Sequence, residues 1–113
     1  DGYLFIVDRK KDIIIRGGEN ISPAEVEAEL YACESVAEAA VFGAPDERLG
    51  EVPVAVVLPA EGTSLTEEDL RTFLDGRVAA FKVPERFIFV GENLPRLGTG
   101  KIDRVALKAQ YAA

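Results

Sequence analysis

The feature that most constrains the fold is the alternation of short apolar segments with well-marked helix starts. Segments 36–42 and 52–58 are rich in Val and Ala, and each has the length of a buried strand. The first helix start is Ser22-Pro23-Ala24-Glu25, where serine suits the N-cap, proline the first helical position and glutamate a capping box. We predict that this helix ends near Ala32.

The remaining segments extend this pattern to the whole chain. Thr66 opens a second helix, and the three acidic residues that follow it suit the positive end of the helix dipole. Segment 87–90 predicts a strand, and residues from about 103 to 110 predict a final helix. Segments 3–7 and 13–15 predict two strands of an N-terminal β-hairpin. The order β-β-α-β-β-α-β-α indicates an α+β fold, a small mixed β-sheet flanked by helices.

Composition and charge exclude several classes of function. The chain has 113 residues, 48% hydrophobic and 29% charged, which is typical of one globular domain. Its net charge of −7 argues against nucleic acid or an anionic membrane as a partner. There is no histidine and only one cysteine, so a Ser-His-Asp triad is impossible and a metal site is not expected. No apolar run approaches the ~18 residues of a membrane span.

The start of the chain predicts a larger parent protein. The sequence contains no methionine and begins at Asp1, followed by residues that resemble a turn entering a strand. We therefore expect that the chain begins within a longer polypeptide.

The segment Leu97-Gly98-Thr99-Gly100-Lys101 is the first candidate for chemistry. Two glycines before a lysine would present one long cation from an adaptable loop, where it could pair with a carboxylate or a phosphate. The alternative is an ordinary surface turn that ends in an exposed lysine. A P-loop is excluded, because its GxxxxGK[ST] spacing is missing and Ile102 follows the lysine.

Two further segments also allow two interpretations each. The charged run 8–12 is either a solvated loop or a hinge that absorbs a backbone rotation. The run from Arg16 to Pro23 is either a tight turn into a capped helix or a glycine surface that a ligand passes closely. Acidic residues such as Glu27, Glu29, Glu67 and Glu68 are interpreted as solvated helix faces.

Four stretches, taken in order, resemble the C-terminal domain of acyl-CoA synthetases. They are DRKKDIIIRGGENISPAEVE, VFGAPDERLGEVPVAVV, FKVPERFIFV and LPRLGTGKIDR. These enzymes belong to the adenylate-forming superfamily, and the resemblance covers the chain from Asp1 to about Leu107. It implies that an acid and ATP form an acyl-adenylate, after which the small domain rotates and coenzyme A attacks to give the thioester.

The resemblance also implies roles for single residues. Lys101 matches the catalytic lysine of adenylation, and Lys11 matches the hinge position. Arg9 matches the arginine that contacts the adenylate ribose, and Asn20 falls where some relatives place a polar group near the phosphate. Gly17, Gly18 and Glu19 match the loop that faces the coenzyme A tunnel. Lys82 is the only basic residue in the stretch after Phe81, where some relatives contact the coenzyme A nucleotide.

The same resemblance implies the substrates, partners and domain division. Residues 1–15 would form the hinge and hairpin segment, and residues 16–113 the C-terminal lid domain. ATP with Mg²⁺ would bind mainly to an N-terminal domain of the same chain, with a small carboxylic acid and coenzyme A as the other substrates. A cytoplasmic location is expected, and the isolated domain should be inactive. The alternative is a stand-alone acidic module for interaction or carrier docking, and the residues leave open whether the acceptor thiol belongs to coenzyme A or a carrier protein.

Overall fold

The computed structural model describes residues 13–100 and 102–111 of the chain. Within these residues the elements follow the order β-β-α-β-β-α-β-α, with a short 3₁₀ turn at Ala80–Lys82 before the last strand. The strands are β1 (Ile14–Arg16), β2 (Glu19–Ile21), β3 (Val36–Asp46), β4 (Gly50–Pro59) and β5 (Arg86–Phe89). The helices are α1 (Pro23–Tyr31), α2 (Glu67–Leu74) and α3 (Arg104–Tyr111).

The sheet is built around the long pair of β3 and β4. These strands are antiparallel, and their register runs from Val36 opposite Pro59 to Asp46 opposite Gly50. β5 pairs with β4 in parallel, β1 meets β4 at its Gly50 end, and β2 pairs with β1 to complete the order β2-β1-β4-β3. The single parallel pair makes the sheet mixed, as the sequence predicts.

The sheet carries apolar side chains on both faces, and each face is covered. On one face, Val41 and Val57 pack with α1 and α2 through residues that include Leu30 and Leu74. On the other face, Phe42 and Val54 belong to a second cluster with further partners from the 90–107 segment, namely Leu94 and Leu107. Because successive strand residues point to opposite faces, burial on both sides explains the almost continuous apolar runs of β3 and β4.

The caps of the helices confirm the predicted helix starts. Ser22 accepts a hydrogen bond from the backbone N–H of Glu25, and proline occupies the start of α1. α2 begins with a complete capping box, in which Thr66 and Asp69 each accept a hydrogen bond from the backbone N–H of the other. Such caps satisfy backbone donors that the first helical turn leaves free.

The fold class is confirmed, and the differences from the predicted elements are local. The N-terminal hairpin of the described residues joins β1 to β2, and β2 was not predicted because its residues were assigned to a glycine turn. β3 and β4 extend into the segment 43–50 that was predicted as a loop. The strand predicted at residues 3–7 lies outside the described residues.

Candidate functional site

Five of the predicted site residues lie within the described part of the chain. Gly17 and Gly18 form the turn between β1 and β2, Glu19 and Asn20 lie on β2, and Lys82 ends the 3₁₀ turn. The other three predicted residues, Arg9, Lys11 and Lys101, lie outside the described residues.

The glycine pair forms the two-residue turn of the β1–β2 hairpin. Both glycines have positive φ, +57° at Gly17 and +89° at Gly18, as a type I′ turn requires. The N–H of Gly17 donates to the carbonyl of Leu49 at 2.7 Å, and a Cβ at Gly17 would meet the Leu49 side chain at 3.2 Å. The turn alone therefore explains both glycines. The sequence allowed two interpretations of them, a tight turn or a surface that a ligand passes closely.

The hairpin presents polar groups to solvent. Glu19 and Asn20 are exposed, whereas Ile21, the next residue on β2, is fully buried in the core. The buried isoleucine fixes the strand, and the alternation of strand side chains then directs its neighbour outward. The residues from Gly17 to Asn20 thus form an exposed tip of the sheet.

Lys82 is engaged by a carboxylate of α1. Its Nζ lies 3.0 and 3.1 Å from the two oxygens of Glu25, and it also lies 5.7 Å from the ring centre of Phe81. The sequence predicts that Glu25 completes a capping box with Ser22, but its side chain contacts Lys82 instead. Any anion that binds Lys82 has to displace or share this carboxylate.

The loop before position 101 forms a second compact turn. Arg96 and Ile102 form an antiparallel bridge, and the N–H of Gly100 donates to the carbonyl of Leu97 at 2.9 Å. The N–H of Asp103 donates to the carbonyl of Pro95 at 2.8 Å, which closes the base of the loop. The residues on both sides of position 101 are therefore held by backbone hydrogen bonding.

Two side chains attach this loop to the sheet. Arg96 donates to Oε2 of Glu38 at 2.7 Å and to the carbonyl of Gly100 at 2.9 Å. The other oxygen of Glu38 accepts a hydrogen bond from the N–H of Leu94 at 2.9 Å. Sequence reasoning did not single out Glu38 or Arg96, since the two residues lie 58 positions apart.

Glu27 corrects a prediction. Its side chain is only 13% exposed, and it is not part of a solvated helix face. It accepts a hydrogen bond from the N–H of Val41 on β3 at 2.7 Å, and it forms a two-pronged ion pair with Arg104 at the start of α3. α1, β3 and α3 are therefore joined through one carboxylate.

The turn between β3 and β4 is stabilised by Asp46. Its carboxylate accepts hydrogen bonds from the N–H groups of Leu49 and Arg48 at 2.8 and 2.9 Å. These two hydrogen bonds, that of Leu49 first, lower the pKa of Asp46 from its ordinary value of 3.8. The carbonyl of Leu49, in the same turn, accepts the hydrogen bond from Gly17. By fixing Leu49, Asp46 therefore also helps to fix the hairpin.

The hairpin and the loop before position 101 lie at opposite ends of β3. The hairpin contacts the turn that follows Asp46, whereas the loop contacts Glu38 near the start of the strand. Eight residues of extended strand separate these points by about 26 Å. The domain thus has two separate candidate surfaces.

The described part of the chain has neither a metal-binding cluster nor a membrane-spanning helix. Residues 13–100 and 102–111 hold no group of three or more His, Cys, Asp or Glu side chains arranged to bind a metal ion. Among the same residues, no helix has the length and apolar character needed to cross a bilayer.

Comparison with protein families matches residues 25–101 to the C-terminal domain of AMP-binding enzymes. The chain belongs to this family. Two curated relatives of the domain are an oxalate–CoA ligase from Arabidopsis thaliana and a feruloyl-CoA synthase from Amycolatopsis. The first is 50% identical over 104 residues, 92% of this chain and 20% of the relative. The second is 52% identical over 111 residues, 98% of this chain and 22% of the relative.

Two solved structures share the fold of this AMP-binding C-terminal domain. The crystal structure of apo MatB from Rhodopseudomonas palustris is 40% identical with a TM-score of 0.86, covering 92% of this chain and 21% of that one. An ATP-bound structure of MatB matches with 39% identity and a TM-score of 0.85, covering 91% and 20%. The chain thus spans about a fifth of the length of the proteins it matches.

Proposed function

We propose that this chain is the mobile C-terminal domain of an AMP-forming acid–CoA ligase. The observation that carries the proposal is the sequence match with an oxalate–CoA ligase and a feruloyl-CoA synthase. Over nearly the whole chain, about half of the residues are identical to those in one part of each enzyme. In this proposal the ligase converts a carboxylic acid, ATP and coenzyme A to acyl-CoA, AMP and pyrophosphate. Residues 16–113 form the lid, and residues 1–15 contain the hinge at Lys11.

The first half-reaction joins the acid to AMP. A carboxylate oxygen attacks the α-phosphorus of ATP, and pyrophosphate leaves. We assign Lys101 to this step, where its ammonium bridges the acid and the nucleotide phosphate and stabilises the charge they share in the transition state. Arg9 contacts the ribose and Asn20 lies near the phosphate. The compact turn that flanks position 101 supports this role, because a lysine is effective only when its stem is directed at the reacting groups.

The second half-reaction transfers the acyl group to a thiol. The thiol loses its proton to solvent, its sulfur attacks the acyl carbonyl carbon, and AMP leaves with the electrons of the broken carbon–oxygen bond. We assign the loop of Gly17, Gly18 and Glu19 to the coenzyme A side of this step. The location of this loop about 26 Å along β3 from the Glu38 contact supports a domain that turns to present one surface and then the other.

Coenzyme A and ATP bind chiefly outside this domain in the proposal. ATP and Mg²⁺ bind to the N-terminal domain, and no described residue is assigned as a metal ligand. Lys82 is assigned a contact with the coenzyme A nucleotide, for which the nucleotide must compete with the Glu25 carboxylate. The acids named for relatives of this domain range from oxalate to ferulate, which supports an acyl pocket in the N-terminal domain.

The experiment that tests the proposal uses the full-length parent protein and its Lys101→Ala variant. We expect pyrophosphate exchange to fall by about 100- to 1,000-fold, because a preorganised charge at the transition state is lost. Thioester formation from preformed acyl-adenylate should continue at the wild-type rate. Unchanged exchange in the variant would overturn the role of Lys101, and a parent protein with no ligase activity on any carboxylic acid would overturn the proposed function.

A further inference from the structure

A short series of polar groups joins the segment before Lys101 to the sheet. Glu38 on β3 lies at its base, with a side chain that is only 12% exposed. One of its oxygens accepts a hydrogen bond from the N–H of Leu94, and the other accepts one from the guanidinium of Arg96. A single carboxylate therefore fixes both the start of the segment and its arginine.

Arg96 extends this restraint to the residue directly before Lys101. While one of its terminal nitrogens contacts Glu38, the other donates to the carbonyl oxygen of Gly100 at 2.9 Å. A guanidinium is planar, and its donors keep a fixed relation to one another. Holding one side of the group therefore also fixes the position at which it binds the Gly100 carbonyl.

Apolar packing contributes little to the shape of this loop. Residues 95 to 100 are all exposed, and Leu97 exposes half of its surface. Gly98 and Gly100 enlarge the range of conformations that an unrestrained loop could adopt. The contacts from Glu38 through Arg96 to Gly100 are thus the side-chain restraint that opposes this freedom.

We propose that Glu38, acting through Arg96, is a positioning residue for Lys101 in the adenylation step. The inference rests on the proposed function, which assigns Lys101 to that step. Glu38 touches neither the acid nor the nucleotide in this arrangement, so its loss misplaces the ammonium group without removing it. Adenylation should slow, while acyl transfer to the thiol, in which Lys101 has no assigned role, should not.

The test compares both half-reactions in the full-length ligase and its Glu38→Gln variant. Glutamine keeps an acceptor for the N–H of Leu94 and removes the charge that holds Arg96. We expect pyrophosphate exchange to fall about tenfold, as for a reacting group displaced by a fraction of an ångström. Acyl transfer from preformed acyl-adenylate should keep its wild-type rate.

Glu67→Gln is the matched control. Glu67 pairs with Arg71 at 2.8 Å on the exposed surface of α2, so this variant also removes one carboxylate charge from an arginine pair. It should change neither half-reaction. A decrease of exchange in Glu67→Gln equal to that in Glu38→Gln would mean that general loss of charge is responsible, and the positioning role would be wrong.

A coupling measurement separates positioning from general damage. In the Lys101→Ala background, Glu38→Gln should cause no further decrease in exchange, because the group it positions is already absent. The inference fails if Glu38→Gln still lowers exchange in that background, or if it lowers both half-reactions equally.

The same variants separate this inference from the proposed function. Normal exchange in Lys101→Ala would overturn the role of Lys101 itself. Loss of exchange in Lys101→Ala together with normal exchange in Glu38→Gln would overturn only the role of Glu38. If Glu38→Gln does not fold, Arg96→Gln, which leaves Glu38 and its bond from Leu94 in place, is measured with the same expectation.

Discussion

Two glycine-containing loops of this domain, both predicted as functional surfaces, are held in different ways. The Gly17–Gly18 turn is fixed by its backbone, with two positive φ angles and a main-chain hydrogen bond to Leu49. The loop that ends at Gly100 also has backbone hydrogen bonds and one positive φ, at Gly100, but a carboxylate and a guanidinium attach it to the sheet as well.

The difference indicates what each loop can tolerate. A backbone-fixed turn is sensitive to an added Cβ and insensitive to charge, because its geometry depends on glycine dihedral angles. A loop fixed by an ion pair tolerates small side chains where φ is ordinary, but it responds to loss of charge. The two glycine substitutions below test this difference directly, and the other predictions test the contacts that surround the two loops.

The largest effect on stability is expected for Glu27→Ala. The change removes the carboxylate that joins α1, β3 and α3 and leaves the N–H of Val41 and the guanidinium of Arg104 without this acceptor. We expect a loss of about 2 kcal/mol in the free energy of unfolding, below the range for fully buried pairs because Arg104 is partly exposed. Urea denaturation of the 113-residue chain measures it.

Glu67→Ala serves as the control for that experiment. Its pair with Arg71 spans one helical turn and is exposed, so its loss should cost about 0.5 kcal/mol or less. Equal destabilisation by the two substitutions would show that Glu27 at the α1–β3–α3 junction contributes no more to the free energy of unfolding than an exposed ion pair does.

A pair of glycine substitutions tests the two loops directly. Gly17→Ala should lower the free energy of unfolding by about 1–2 kcal/mol, the cost of a left-handed conformation for a residue with a Cβ. At Gly98 an added Cβ meets nothing within 4 Å, and the residue has no positive φ. Gly98→Ala should therefore change stability by no more than about 0.5 kcal/mol.

Denaturation of both glycine variants under one set of conditions provides the comparison. If Gly98→Ala destabilised the domain as much as Gly17→Ala, the contrast between a backbone-fixed and a side-chain-fixed loop would not hold.

The smallest effect concerns pH and the turn behind the hairpin. The pKa of Asp46 is lowered in the folded state, mainly by hydrogen bonds from the N–H groups of Leu49 and Arg48. Its ionised form therefore adds stability above the unfolded pKa, and this contribution is lost as pH falls through the lower folded pKa. Asp46→Asn keeps an acceptor but cannot titrate.

Unfolding free energies of the two proteins should therefore converge as pH decreases from about 5 to about 2. A constant difference over this range would show that the Asp46 charge does not contribute to the turn.

Local sequence signals predicted most of the fold. Four elements could be located from the sequence: two helices by their caps at Ser22 and Thr66, and β3 and β4 by their apolar runs. These signals are local, since a cap or an apolar run depends only on residues a few positions apart. The pattern failed at β2, where adjacent glycines were interpreted only as a break between elements. It also shortened β3 and β4, because Gly43 and Pro45 are typical loop residues, although both lie within β3.

The candidate site was predictable only in part. Motif order identified the glycine turn and the loop before Lys101, but not what holds the loop in place. Glu38 and Arg96 lie far apart in sequence, as do Glu27 and Arg104, so no local periodicity pairs them. Their partnership arises from the sheet, which brings distant segments side by side.

The Glu27 carboxylate has one more consequence, for how the domain behaves at high concentration. β3 lies at the end of the described sheet order, and an uncovered edge strand is a template on which another chain can add a strand. The N–H of Val41 points away from β4 and already donates to Glu27. Four residues further along the same strand edge, Pro45 has no N–H with which to bind another strand. Edge-to-edge self-association along this strand is therefore disfavoured by the same residue that ties the helices together.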